Sequence, residues 1–302
     1  MMPLSLSIET QALQVPMLTQ HDAENVAIVV PCFNEADRLD RQAFIDFARA
    51  NTAFHFVFVN DGSTDNTQEV LCSLRSSSGI RQVAILHLEE NSGKAEATRQ
   101  GILFAQEEIF AEPRGIRFIG YLDADLATPL SELVTMHQRI LAAPRIKAVI
   151  GSRLKLAGRS IDRTARRRFI GMVFATLTNL FFRLRLRDTQ CGAKLFRNER
   201  WLSEIFAKPF HDRWLFDVEM FIRMRKLFRT DLHEVVYEQP LERWVDAEGS
   251  RLKAKDFLLG PFKLASLFFR YIGPGQYTDI PVDNTTAQPE THSGATTSRR
   301  AA

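Results

Sequence analysis

The chain has 302 residues and is short of several features that would decide its class at once. Its three cysteines, Cys32, Cys72 and Cys191, have no paired spacing. That excludes a disulfide framework or a Cys-rich zinc site and points to a reducing compartment. The first residues, MMPLSLSIETQALQVPM, place no cations ahead of an apolar core. They do not read as a secretion signal, and a cytoplasmic location is expected. The longest largely apolar run, Phe169 to Phe182, has 14 residues. As a helix it extends roughly 21 Å against a hydrocarbon core of about 30 Å, too short to span a membrane. No Gly-X-Gly-X-X-Gly follows a strand-like segment, which argues against a dinucleotide-dependent oxidoreductase. Gly93-Lys94 is not a Walker loop, because Leu88 and Ala95 stand where a glycine and a hydroxyl residue are needed. Nor is one sign of charge in large excess: 39 basic against 36 acidic residues leave +3.

What is present is alternation. Apolar, β-branched runs at Val26 to Pro31, His55 to Val59, Val83 to Leu88, Phe118 to Leu122 and Ala148 to Ile150 read as buried strands. Between them lie helical patterns over Asp40 to Ala50, on to about Ser76, through Ala97 to Phe110, and from about Pro129 to Ala142. Strand and helix in turn predict an α/β fold with a mostly parallel central sheet and helices on both faces. Further on, helices are predicted at Glu199 to Phe206, Trp214 to Phe228 and Lys253 to Tyr271, with a last strand at Leu232 to Tyr237. Asp188 to Lys194 reads as a polar turn and Trp244 to Arg251 as a flexible charged loop. The expected organisation is a loose arm over 1–24, a single domain over 25–272 and a disordered tail, rich in Thr, Pro, Ser and Ala, over 273–302.

The stretch FIGYLDADLATP, from Phe118 to Pro129, is the most informative. If its apolar half is a strand, Asp123 and Asp125 leave the carboxyl end, where open α/β sheets meet their ligands. Two hard oxygen donors there suit Mg²⁺ or Mn²⁺ completed by water and substrate phosphates. Turn and helix-cap chemistry ahead of Ser131 explains the same residues, and both readings stand at this level.

Charge is also unevenly placed. From Arg153 to Arg187 there are ten Lys or Arg and one acid, Asp162, so this block carries +9 and the rest of the chain −6. Such a block expects a phosphate-rich partner. Within it, over about 163–187, RTARRR runs into FIGMVFATLTNLFF and then RLRLR. This is a core helix with solvated flanks or an interfacial helix whose arginines, Arg166, Arg167 and Arg168 among them, meet lipid phosphates. No nucleic-acid motif accompanies the basic block, and nucleic acid is not expected as a partner. Asp217 and Glu219, amid aromatics in FDVE, are helix-end charges or include a catalytic carboxylate.

Taken in order and spacing, VVPCFNE, VNDGSTD, NSGKAEATRQG, YLDADLATP, IGSR, DTQCGAKLF, FDVEMFIR and EGSRLK resemble the family 2 inverting glycosyltransferases of GT-A fold, over roughly Val26 to Tyr271. Within that family they are most like the dolichyl-phosphate glucosyltransferase and polyprenyl-phosphate glycosyltransferase branch. The resemblance implies that Pro31, Asn34, Glu35 and Asp61 form the pocket for base and ribose, with Lys94 near the nucleotide. It implies that Asp123 and Asp125 hold the diphosphate through the metal, that Arg251 closes over the donor phosphates and that Arg153 meets the acceptor phosphate. Ala127 stands where the mannosyl branch has a metal-binding Gln, which favours the glucosyl branch. The membrane spans of many relatives are not seen, which bears on the lipid acceptor more than on transfer.

The expected function is therefore metal-dependent transfer of a hexose, glucose from UDP-glucose, to a polyprenyl (dolichyl-type) phosphate by a peripheral enzyme on the cytoplasmic face of an anionic membrane. A phosphate acceptor is already an anion at neutral pH and needs positioning, not deprotonation. A soluble hydroxyl acceptor would need a base, for which Asp217 is the candidate. A non-catalytic module binding anionic surfaces through the +9 block is the alternative of another class.

Overall fold

The protein is described by a computed structural model covering residues 25–77, 82–107, 115–162, 164–245 and 254–272, without the side chains of residues 77, 165–167 and 254–258. The arm and tail expected over 1–24 and 273–302 lie outside the described residues, as do Arg251 and the side chains of Arg166 and Arg167.

The first half alternates as its pattern predicts: β1 (Asn25–Cys32), α1 (Arg41–Ala50), β2 (Phe54–Asp61), α2 (Thr67–Ser77), β3 (Val83–Leu88), α3 (Lys94–Glu107), β4 (Ile116–Leu122), α4 (Ser131–Ala142) and β5 (Ala148–Ser152). There follow β6 (Ser160–Asp162), α5 (Ala165–Phe182), β7 (Ala193–Arg197), α6 (Arg200–Phe206), α7 (Phe216–Phe228), β8 (Val236–Pro240), β9 (Arg243–Val245) and α8 (Ala254–Tyr271). Seven strands form one sheet in the order β3-β2-β1-β4-β7-β5-β8, in which only β7 runs antiparallel to its neighbours. The chain moves outward from β1 to β3 and then returns to place β4 on the other side of β1. The carboxyl ends of β1 and β4 thus flank the point where strand order reverses, where such sheets open a crevice.

Burial on both faces explains the unbroken apolar runs. Ala27, Val29, Ile119 and Tyr121 pack under α3 and α7, whereas Val26, Ile28, Val30, Phe118 and Leu122 pack under α1, α2 and α4. Asp40 caps α1 by accepting from the Ala43 amide at 3.0 Å.

Three expectations need correction. The supposed polar turn at Asp188 to Lys194 ends inside β7, a strand wedged between β4 and β5. Its second residue is a lysine neutralised by a distant carboxylate, so the segment lacks the apolar signature of a central strand. The last strand of the sheet is Val236–Pro240, because Leu232–Glu234 form a 3-10 turn that buries Leu232 first. As an edge strand β8 tolerates Pro240 at its end. Within the supposed loop at Trp244 to Arg251, Trp244 and Val245 belong to β9, which pairs with β6; residues 246–253 lie outside the described residues.

His137 on α4 is fully buried, edge-on to Phe54 and Phe118 with centroids 5.6 and 5.1 Å away, and neither ring nitrogen has a hydrogen-bond partner among the described residues. Burial pushes its pKa down to about 4. The unfolded chain takes up a proton near pH 6.5 that the folded chain refuses until about pH 4, so stability is lost as pH falls through that window. His137→Leu should therefore gain on the wild type between pH 7.5 and pH 5, by about 2 kcal/mol. Urea unfolding at the two pH values checks this, and an unchanged difference would contradict it.

Helix α5 has one packed side and one exposed side. Its inner side packs on α8 through Phe181 and Phe268, centroids 5.8 Å apart, and on Trp214 through Phe174 at 5.8 Å. Its outer side exposes Phe169, Met172, Val173 and Leu180, spaced as one helical stripe, and α8 does the same with Leu259, Phe262 and Phe269. Arg168 is exposed near the start of α5. Past its end, RLRLR leaves the helix, with Leu184 and Leu186 buried and Arg183, Arg185 and Arg187 exposed between and beside them. Among the described residues no helix is long and apolar enough to cross a membrane.

Candidate active site at the sheet's switch point

The loops after β1, β2, β3 and β4 converge at the carboxyl edge. Asn34 follows β1 in the left-handed region (φ 48°), and its side-chain oxygen accepts from the Thr64 amide at 2.8 Å while its own amide donates to Ser63 Oγ at 3.0 Å. The Glu35 amide donates to Thr67 Oγ1 at 2.8 Å, so the loops after β1 and β2 are stitched together. Asp61, at the end of β2 and almost fully buried, accepts from the amides of Ser92 and Gly93 at 2.8 and 2.9 Å. Its carboxylate holds the loop after β3. Burial raises its pKa against the pull of those two amides. Gly93 lies at φ +93°, a conformation L side chains rarely adopt. Pro31 lies half-buried near the end of β1, paired with Val59 of β2.

This loop delivers Lys94, the first residue of α3, to the end of β4. Lys94 Nζ stands 2.5 Å from Asp123 Oδ1, with both side chains partly open to solvent. Burial works against its ammonium, but Asp123, Asp217 and Asp125 outweigh it and the pKa is raised. Asp125 accepts from the Ala127 amide at 3.1 Å and faces Arg38 at 3.8 Å. Its own pKa is raised, by burial first and then by Asp123. Between them and Ala127, Leu126 takes φ 51°, a costly conformation for a bulky residue and the kind of strain that collects at functional sites. On the far side Gly192 leans over Asp123: a Cβ there would lie 2.1 Å from Oδ2. No cluster of three or more His, Cys, Asp or Glu that could hold a metal occurs among the described residues. Two hard carboxylates with open solvent on one side nevertheless fit a divalent cation that takes most of its shell from water and phosphate oxygens.

Asp217 and Arg153 are each paired with an opposite charge. Asp217, in the first turn of α7, is 5% exposed; its carboxylate receives Lys194 Nζ at 2.7 Å and the Tyr121 hydroxyl. Burial, then Asp217, keep Tyr121 protonated and donating, its pKa raised well above the usual phenol value. Arg153, after β5, is locked in a two-pronged pair with Asp188, 2.7 Å on each side, and lies over the Trp244 ring at 5.4 Å. The structure thus brings together Pro31, Asn34, Glu35, Asp61, Lys94, Asp123 and Asp125, and puts Asp217 beneath them.

Sequence reading passed over Lys194, Arg38 and Gly192. Lys194 is 0% exposed in the middle of the sheet, opposite Tyr121 on β4 and Ile150 on β5, with its ammonium also 2.6 Å from the Cys191 carbonyl. The available signal was a lone lysine inside an otherwise small and apolar stretch, CGAKLF.

A doubly wound sheet that delivers an Asp-X-Asp and a lysine to its switch point defines a class, the glycosyltransferases of GT-A fold. Solved structures agree in shape. Glucosyl-3-phosphoglycerate synthase of Mycobacterium tuberculosis superposes with a TM-score of 0.54 at 14% identity, over 82% of this chain and 81% of that one. The same enzyme in complex with Mn²⁺, UDP-glucose and phosphoglyceric acid gives 0.53 at 15% identity, over 84% of each chain. The family model for glycosyl transferase family 2 matches residues 27–206, and the chain belongs to that family. Among curated proteins it is similar to the dolichyl-phosphate beta-glucosyltransferase of Drosophila melanogaster, 31% identical over 78% of this chain and 72% of the fly protein. The enzyme of the same name from Saccharomyces cerevisiae is 30% identical over 79% and 73%.

Proposed function

We propose that this glycosyltransferase moves glucose from UDP-glucose to a polyprenyl phosphate of the dolichyl type, with a divalent metal and inversion at the sugar. The observation that carries the reading is the Asp123, Asp125 and Lys94 cluster at the mouth of β4. The names of the relatives supply the acceptor, and the Mn²⁺ and UDP-glucose bound by the mycobacterial neighbour support metal and donor. When bound at Asp123 and Asp125, Mg²⁺ or Mn²⁺ supplies charge that neutralises the departing diphosphate. Lys94 adds a second positive charge from α3, held in place because Asp61 fixes the two residues before it. Asn34 and Glu35, with Pro31, border the space for base and ribose, and the family resemblance assigns Arg251 to the donor phosphates. Asp188 orients Arg153, which steers the acceptor phosphate to the cleft.

Asp217 bears on the competing reading with a hydroxyl acceptor. Both a buried ammonium and a phenol occupy its carboxylate, so it is poorly placed to take a proton from a substrate. A phosphate acceptor needs no such base. The purely binding module is set aside by membership of an enzyme family. The deciding assay incubates the protein with radiolabelled UDP-glucose, UDP-galactose or GDP-mannose, a divalent metal and a polyprenyl phosphate. Label from UDP-glucose entering the organic phase supports the reading; label that stays in the aqueous phase sinks it.

The same reading places the enzyme peripherally on the cytoplasmic face of a membrane. The outward stripes of α5 and α8 give an apolar surface, with Phe262, Leu180 and Phe169 more than 60% exposed, and the basic flanks of α5 give it charge. Each flanking cation near an anionic surface contributes about 1 kcal/mol, and the attraction is screened by salt. Binding to vesicles containing anionic lipid should weaken as salt rises. Replacing Arg166, Arg167 and Arg168 by Glu should lower vesicle binding and transfer to lipid together while sparing slow hydrolysis of the donor. Wild-type protein that ignores anionic vesicles at low salt would contradict this.

A further inference from the structure

Between α6 and α7 the chain passes Asp212, Arg213 and Trp214, and the two outer residues are anchored. Asp212 accepts from the amides of Trp214 and Leu215 at 2.8 Å each and receives Lys263 Nζ of α8 at 2.8 Å. Trp214 packs on Phe174 of α5 and is half-buried. Arg213 between them is exposed, and its side chain is laid across the loop that carries Lys94. A Cβ on Gly93 would stand 2.9 Å from Arg213 Cδ and 3.3 Å from Nε. The glycine thus meets two demands, its positive φ and room for an arginine to cross it. Asp61, which holds the Gly93 amide, feels the guanidinium charge, yet no ion pair engages Arg213 among the described residues.

We infer that Arg213 is a donor-binding residue, a second protein cation for the nucleoside diphosphate that reaches it over Gly93. This rests on the donor reading above. Lys94 is already engaged by Asp123, so a diphosphate entering the cleft meets one committed ammonium and one uncommitted guanidinium. A planar fork of N–H donors suits phosphate oxygens better than a point charge does. The anchoring of Asp212 and Trp214 holds the arginine's backbone in register with α5 and α8 before any ligand arrives, which limits the entropy lost on binding.

The test is calorimetric titration of wild type, Arg213→Ala and Arg213→Lys with UDP and with UMP, in Mn²⁺, beside the melting temperature of each ligand-free protein. Arg213→Ala should weaken UDP by about tenfold or more and UMP much less, with Arg213→Lys in between. Ligand-free melting should be unchanged, because the side chain is exposed and pairs with nothing that folding requires. Equal losses for UDP and UMP, or a loss of melting temperature that accounts for both, would make the residue a support of the loop and overturn the proposal. UDP binding unchanged by Arg213→Ala overturns it as well and leaves the donor reading intact. Failure of wild type to bind UDP removes the donor reading and this inference with it.

Discussion

Asp125→Ala should reduce transfer by about 10² to 10³ or more, the usual cost of removing a preorganised group that stabilises developing charge. Asp123→Ala should be comparably severe, and EDTA should reproduce the loss in the wild type. Both carboxylates sit at the open end of β4 with side chains near 30% exposed, so neither truncation leaves a hole in the core. The melting temperature should barely move. Asp123→Ala also frees Lys94 from its 2.5 Å partner. Asp125 has a softer contact, with Arg38 at 3.8 Å, so its variant is the cleaner probe of metal-linked charge. The measurement is initial rate against metal concentration for each variant. Undiminished turnover by the double variant in chelator would refute the mechanism.

Lys194→Met should destabilise the protein by roughly 3–5 kcal/mol, the cost of stripping a buried carboxylate of its partner. Lys194 is wholly buried and Asp217 nearly so, and they meet at 2.7 Å. Tyr121 still donates to Asp217 in the variant, but one neutral hydrogen bond does not replace an ammonium. Adding Asp217→Asn removes the orphaned charge and should return much of the stability, since a buried pair loses more from halving than from full replacement. Urea unfolding of both single variants and the double supplies the cycle. A Lys194→Met protein as stable as the wild type, or a double variant no better than it, would show that the pair does not hold α7 to the sheet.

The parallel core was legible because its chemistry is local. VAIVV, FVFV and FIGYL are unbroken apolar runs, as strands covered on both faces must be, and the helices between them have their own periodicity, α1 with a capping aspartate as well. The pairing of Asp123 with Asp125 was equally plain, since two residues one apart at a strand end travel together wherever the strand goes. Strand β7 was not legible. Its sequence, AKLFR, is short, carries two cations and runs against its neighbours, and it becomes a central strand only when Asp217 supplies the counter-charge for Lys194. The shifted β8 was hidden for a related reason, because an edge strand can carry Glu238 and Pro240 that a buried one could not.

By itself, then, the sequence determined the alternating α/β plan, the acidic pair at a strand end, the lysine after Gly93 and the short basic-flanked apolar segment, all of them properties of residues near one another in the chain. Tertiary structure decided which charges meet. Lys94 reaches Asp123 across 29 residues, Arg153 is claimed by Asp188, and Arg213 crosses Gly93 from a turn more than 100 residues away. That Asp217 meets a buried ammonium was likewise decided by strand order, which brings Lys194 to it. Ionic contacts of this kind depend on distance through space, and spacing along the chain does not encode them.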